Sequence, residues 1–194
     1  MTDQEILKIL EETQAIKKGH FVLTSGRHSD TYIQCARVLE NPSLSYELAK
    51  EAAARIPQEI KERLTLVASP AVGGMLFGFA LAHVLGLNFI FSERVEGKMK
   101  FRRSFEVAPN DCVLVAEDVV TTGGSVQEVC ELVEQAGADV ACVVSLIDRK
   151  TDKKFKARFY PLLELPTASW DPEDCELCKN NVEFESLGSR RLAK

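Results

Sequence analysis

The chain has 194 residues, with 24 Lys and Arg against 29 Asp and Glu and a formal net charge of -5. That length fills one hydrophobic core and is short for two, so a single domain over residues 1–194 is expected. The acidic balance argues against a nucleic-acid binder, which would carry a basic patch or stripe.

Met1, Thr2, Asp3, Gln4 and Glu5 form neither a basic start nor an apolar signal core, and a cytoplasmic location is expected. Ile6, Leu7, Ile9 and Leu10 share one helical face, which predicts a first helix over residues 3 to 18 ended by Gly19. Phe21-Val22-Leu23 and Tyr32-Ile33 then flank the polar stretch Thr24-Ser25-Gly26-Arg27-His28-Ser29-Asp30, a hairpin or hood. Asn41-Pro42-Ser43 starts a second helix that carries Leu44, Leu48, Ala52 and Ile56 up to Pro57.

Beyond it, strands at 64–68, 89–92, 113–116 and 140–147 alternate with helices at 74–85 and 124–135. Met75 to Phe91 holds no charged residue and approaches the length of a membrane span, but its glycines, His83 and Asn88 favour a buried helix followed by a buried strand. No membrane partner is expected. The alternation predicts an α/β fold, a central mostly parallel sheet flanked by helices, with a small hood from the N-terminal segment. Residues 1–40 would form the first helix and hood, 60–150 the core and 165–194 a C-terminal extension. Ligands on such a sheet gather at the carboxyl ends of the strands.

The stretch 113–125 concentrates the chemistry. Val113-Leu114-Val115-Ala116 suits a strand buried on both faces, and Glu117 and Asp118 follow where that strand is expected to end. Val119 and Val120 lead into Thr121-Thr122-Gly123-Gly124-Ser125, which opens a helix. Such a junction turns backbone N–H groups and the positive end of a helix dipole towards one point, a seat for a phosphate monoester. The acids would repel a polyphosphate there but can accept hydrogen bonds from two vicinal hydroxyls. A ribose 5-phosphate satisfies both halves. The alternative is a structural turn with solvated acids.

Three further segments end at the same edge. Ser69-Pro70-Ala71-Val72-Gly73-Gly74 is a second strand-to-helix loop that can bind an anion or serve close packing. Glu93 to Arg103 is a dense basic run with Arg94, Lys98 and Lys100, either a solvated surface or a mobile loop that neutralises a leaving anion. Arg149 can pair with a carboxylate through its planar guanidinium, or form a surface salt bridge to Asp148 or Asp152. Lys153, Lys154, Lys156 and Arg158 are expected in a solvated hairpin.

Six cysteines are present; Cys35, Cys112, Cys130 and Cys142 sit in or beside apolar runs and read as reduced core residues. Cys175 and Cys178 form one C-x-x-C with no second cysteine pair or nearby histidine pair in the sequence, so packed thiols are expected there in preference to a metal. His20, His28 and His83 are expected not to cluster, with His83 a core residue.

The 113–125 stretch resembles the phosphoribosyl-diphosphate (PRPP) motif of type I phosphoribosyltransferases. Together with the Phe-x-Leu-x-Ser-Gly-Arg-x-Ser hood, the Glu93-Arg94 run and Asp148-Arg149, it is similar to orotate phosphoribosyltransferases over roughly residues 3 to 190. The resemblance implies transfer of 5-phosphoribose from PRPP to N1 of orotate with Mg²⁺, by a homodimer whose basic loop reaches into the partner's site. It implies that Glu117 and Asp118 hold the ribose hydroxyls, that Val119 to Ser125 bind the 5′-phosphate, and that Ala71, Val72, Gly73 and Gly74 hold the pyrophosphate. Arg94, Lys98 and Lys100 would contact PRPP, with Lys98 and Asp118 central to catalysis. Thr121 and Arg149 would face orotate. The metal would be carried by PRPP, with no direct protein ligand. Transfer to another base, or a non-catalytic PRPP-binding regulator, are the competing readings.

Overall fold

The computed structural model describes residues 1–23, 25–150 and 155–185. Thr24 of the hood, Lys153 and Lys154 of the expected hairpin, and the end of the C-terminal extension lie outside the described residues.

Helix α1 (Asp3–Glu12) starts at a capping box in which Thr2 and Glu5 satisfy each other's backbone amides. It buries Ile6 and Leu10 and stops six residues earlier than the periodicity predicts, because Gln14 takes a positive φ of 57° and Ile16 enters a strand. Strands β1 (Ile16–Val22) and β2 (His28–Ile33) form the expected antiparallel hood, longer than its apolar residues suggested. Two short helices, α2 (Ala36–Leu39) and α4 (Gln58–Lys61), flank α3 (Pro42–Ala54), which Asn41 caps through the amides of Ser43 and Leu44.

The core then contains the expected strands and helices, β3 (Leu66–Pro70), α5 (Gly73–Leu85), β4 (Asn88–Val95), β6 (Cys112–Val120), α6 (Gly124–Gln135) and β7 (Asp139–Asp148), with an unexpected β5 (Lys98–Phe101) between β4 and β6. Strand β8 (Arg158–Glu164) adds a sixth member that the pattern did not reveal. Pro161 sits in its middle, and such a residue is tolerated because β8 is an edge strand. The sheet order is β5-β4-β3-β6-β7-β8, all parallel except for β5. Finally β9 (Ser169–Trp170) pairs with β2 and extends the hood sheet, and α7 (Glu176–Lys179) follows.

Two apolar layers cover the sheet. On one face α1, α3 and α5 pack Leu10, Leu48, Phe77 and Leu81 against Val67, Leu114 and Val144. On the other, Val126, Val129 and Val133 of α6 meet Ala68, Val115 and Val143. Successive residues of β3, β6 and β7 therefore point into opposite cores, which is why these strands read as unbroken apolar runs. Cys35, Cys112, Cys130 and Cys142 are buried and free.

Met75 to Phe91 is α5, a turn and the start of β4, and no helix among the described residues is long and apolar enough to cross a membrane. His83 corrects its expected place: it is exposed, with its ring 4.8 Å from that of Tyr46. The basic run is also more regular than a loop. β4 continues to Val95, turns at Glu96-Gly97 and returns as β5, so Arg94 pairs with Met99 and Glu93 with Lys100.

Candidate functional site

β6 does not end at Ala116. It runs through both acids to Val120, because β7 is long enough to pair Glu117 with Ser145 and Val120 with Asp148. The acids are thereby held in extended backbone, with adjacent side chains on opposite faces, at the carboxyl end of the central strand. The chain then turns through exposed Thr121 and Thr122 to Gly123, whose φ of 78° is the left-handed conformation that opens α6. Gly123 at the N-cap makes no side-chain cap, which leaves the first amides of α6 beside Ser125 without one among the described residues.

The loop before α5 closes on the same acids. A β-carbon on Gly73 would stand 2.7 Å from Oδ1 of Asp118, and one on Gly74 would stand 2.8 Å from Oε1 of Glu117 and 3.0 Å from the Ala116 carbonyl oxygen. At position 74 only glycine lets the start of α5 approach the β6 backbone so closely, and at position 73 a side chain would displace the Asp118 carboxylate. The loop's two readings, anion binding and close packing, are thus compatible, since the packing is what brings exposed Val72 and Gly73 beside Asp118. The Ala71–Val72 peptide is cis, and α5, like α6, has no side-chain cap.

Burial dominates the electrostatics. Glu117 is buried, and loss of solvent, followed by the neighbouring charge of Asp118, pushes its carboxyl up to about 9. Asp118 is half-buried and accepts a 2.8 Å hydrogen bond at Oδ1 from the Val119 amide. Burial and the adjacent carboxylate thus favour the protonated form of Glu117, in which its carboxyl can donate as well as accept a hydrogen bond. The thiol of Cys35, also pushed well up by burial, lies 4.0 Å from the Asp118 carbonyl oxygen.

Arg149 lies at the far side of the same loop. Its amide donates to the Val120 carbonyl at 3.0 Å, which sets it against Thr121. Its half-buried guanidinium donates from Nε to Thr167 Oγ1 at 2.6 Å; Asp152, one of the two acids of the alternative surface bridge, lies outside the described residues. Burial lowers its affinity for the proton, and Asp30 of the hood acts in the opposite direction. Thr167 and Asp30 are thus neighbours that sequence reasoning missed; Asp30 stands inside the hood motif, whereas Thr167 sits in a loop with no motif at all.

The basic hairpin presents its residues alternately. Met99 is buried, and Lys98 and Lys100 project into solvent without a hydrogen bond or ion pair among the described residues. Arg94 is engaged: both terminal nitrogens meet Glu128 of α6, at 2.7 and 3.0 Å, and one also donates to the Gly97 carbonyl. Glu128, another residue the sequence did not single out, thus ties the hairpin to the helix that opens at Gly124. The pair is exposed and correspondingly weak, so an anion at the helix start could draw Arg94 across. By contrast, a concavity of about 510 Å³ lined by Arg63, Asn110 and Asp139 lies at the amino ends of the strands, away from all of these groups.

The histidine expectation fails. Nε2 of His20 lies 3.2 Å from Nδ1 of His28, and the sulfurs of Cys175 and Cys178 complete a tight group with them. The hairpin brings the histidines together across eight residues, and the C-terminal segment supplies the cysteines from some 150 residues away.

Comparison with known proteins agrees with the geometry. Residues 36–177 match the model of the phosphoribosyl transferase domain. The chain is 46% identical to an orotate phosphoribosyltransferase of Thermotoga maritima over 96% of this chain and 99% of that one. It is 44% identical to the enzyme of that name from Chlorobaculum parvum over the full length of both. The crystal structure of orotate phosphoribosyltransferase from Aeropyrum pernix superposes with a TM-score of 0.70 at 25% identity, covering 82% of this chain and 93% of that one. An adenine phosphoribosyltransferase of Saccharomyces cerevisiae shares the fold alone, with a TM-score of 0.63 at 20% identity over 81% of this chain and 99% of that one.

A protonated Glu117 has a consequence for stability. The unfolded chain releases this proton near pH 4.5 and the folded chain holds it to about 9, so raising the pH between these values favours unfolding. Glu117→Gln removes that penalty. Thermal unfolding of the ligand-free variant should show a gain over the parent that is small at pH 5 and grows towards pH 8.5; a gain independent of pH would mean that Glu117 is ionised in the folded chain.

Proposed function

This chain belongs to the orotate phosphoribosyltransferase family, and from that premise we propose that it transfers the 5-phosphoribosyl group of PRPP to N1 of orotate, releasing pyrophosphate and orotidine 5′-phosphate. The observation that carries this reading is the placement of Glu117 and Asp118 between two uncapped helix starts, with Arg149 anchored to the strand that bears them.

In this reading the amides of residues 121–125 receive the 5′-phosphate, and the acids engage the ribose 2′ and 3′ hydroxyls. Two hydroxyls each have a hydrogen to give and lone pairs to accept with; a neutral Glu117 beside a more solvated Asp118 matches both capacities. The ribose C1 then points towards the space between the loop of Gly73 and the guanidinium of Arg149. Pyrophosphate leaves on the Gly73 side as orotate N1 approaches from the other. Oxocarbenium character at C1 needs no protein nucleophile; the chain's contribution is positioning and stabilisation of the departing anion. Lys98, Lys100 and Arg94 supply that charge when the hairpin bends over the loop, and closure also keeps water from C1.

Mg²⁺ fits this site only as a companion of the substrate. Two carboxylates stand beside the loop, one of them protonated near neutrality, which is fewer hard donors than a dedicated cage requires. Held by PRPP oxygens and water, with Asp118 in the outer shell, the ion would neutralise charge on the leaving pyrophosphate.

Orotate carries a permanent carboxylate, and Arg149 offers a half-buried cation held in place by Thr167. That favours orotate over uncharged bases. Absorbance should report consumption of orotate only with both PRPP and Mg²⁺ present, and no turnover of adenine, guanine, hypoxanthine or uracil. Arg149→Ala should raise KM for orotate about 10-fold to 100-fold, the equivalent of the roughly 1.5–3 kcal/mol of a charge-assisted hydrogen bond, with a much smaller change for PRPP. Equal effects on both substrates would remove Arg149 from the base site.

We further propose a homodimer with basic hairpins shared between sites. An apolar stripe on α5, formed by Val72, Leu76 and Phe79, is exposed on the single chain and starts at the pyrophosphate loop. A second copy packed there would bring its hairpin near this chain's PRPP site. Lys98→Ala and Asp118→Asn proteins, each nearly inactive alone, should regain up to about a quarter of parental activity when subunits are exchanged, since one of two sites in each mixed dimer is intact and half of random dimers are mixed. Failure after verified exchange would confine each site to one chain.

A further inference from the structure

Outside the site described above, the one tight group of metal-ligating atoms among the described residues is at the junction of the hood and the C-terminal segment. His20 Nε2, His28 Nδ1, Cys175 Sγ and Cys178 Sγ all lie within 4.8 Å of one another. His20, His28 and Cys175 are buried and Cys178 partly so.

The separations have the size that a tetrahedral ion imposes. With Zn–N of about 2.05 Å and Zn–S of about 2.3 Å, the edges of a two-histidine, two-cysteine tetrahedron are roughly 3.3 to 3.8 Å. Here His20 Nε2 lies 3.2 Å from His28 Nδ1 and 3.4 and 3.7 Å from the two sulfurs, and His28 Nδ1 lies 3.2 Å from Cys178 Sγ.

The tautomer of His20 supports the same conclusion. Its Nδ1 lies 2.8 Å from the Val182 carbonyl oxygen, which can only accept, so the proton is on Nδ1 and Nε2 presents a bare lone pair to the group. A carbonyl that fixes the far nitrogen of an imidazole is the usual outer partner of a metal-bound histidine. Three groups converge on that one lone pair, yet it can accept only one good hydrogen bond. Hydrogen bonding alone therefore leaves the cluster poorly satisfied, whereas a cation at its centre engages every member.

We propose that His20, His28, Cys175 and Cys178 bind one Zn²⁺ ion in a structural site. Binding releases the two thiol protons to solvent, and two thiolates with two neutral imidazoles make the loaded site uncharged, as burial demands. No oxidation or bond exchange is involved. The ion joins strands β1 and β2 to the segment around α7, where the chain is already close: Gly19 admits the Glu185 side chain, the Glu185 amide donates to the His20 carbonyl, and the Phe184 ring covers both imidazoles. Because β9 of the same segment follows Thr167, the metal would also hold the hood in register with the residue that positions Arg149.

The full chain, purified under reducing conditions without chelator, should contain one zinc per polypeptide by elemental mass spectrometry. After exchange for Co²⁺ it should show the thiolate-to-cobalt absorption of a tetrahedral site. Cys178→Ser and His28→Gln should each lose most of the bound zinc and alter that spectrum, and chelation should lower the thermal midpoint of the parent. Parental protein with native circular dichroism that holds no zinc and takes up no Co²⁺ would overturn the proposal. So would a folded Cys178→Ser variant with undiminished zinc, or a Cys175–Cys178 disulfide in the protein isolated without reductant.

Discussion

Two adjacent carboxylates, one buried and one half-buried, are costly, and this fold keeps Glu117 and Asp118 there by pairing β6 with β7 along the whole stretch that bears them. One of them meets the cost by staying protonated. The constraint reaches outwards from this point: residues 73 and 74 have no room for a side chain, and the turn after Val120 takes a left-handed residue where α6 begins. The strand, the two helix starts and the acids form one unit, and the ribose phosphate reading follows from that unit as a whole.

Around this rigid centre stand elements of a different character. The hairpin of β4 and β5 meets α6 through an exposed Arg94–Glu128 pair and displays Lys98 and Lys100 to solvent. Met99 and Phe101 anchor the hairpin to the core, while the alternate residues Lys98 and Lys100 stay on its outer side. The hood faces the other side, where Asp30 and Arg149 approach each other. There the C-terminal segment supplies β9 to the hood sheet and Thr167 to Arg149, and the cluster of His20, His28, Cys175 and Cys178 joins the same two pieces. In the proposed reaction, donor binding therefore rests on the sheet, and base binding on the agreement between hood and C-terminus.

Most of the central unit is legible in the amino-acid sequence because it is local: apolar run, acids, hydroxyls and glycines lie within thirteen residues, and α6 follows at the expected residue. Boundaries set by distant pairing are less legible. β6 extends past Ala116 only because β7 accompanies it, and Ile16 leaves the helical pattern of α1 only because Ile33 pairs with it. β8 is hidden by Pro161, acceptable at an edge that the sequence does not mark. The histidine–cysteine cluster escapes for the same reason in stronger form. Its two halves are a hairpin and a C-x-x-C far apart in the chain, and neither half alone has the four ligands that metal spacing rules seek.

The most direct measurement of the central claim is a crystal structure of the protein with PRPP and Mg²⁺. The account predicts the 5′-phosphate among the amides of residues 121–125, the ribose hydroxyls on Glu117 and Asp118, and the pyrophosphate against Gly73 and Gly74. Well-defined density for PRPP at another place, with the acids untouched, would contradict it.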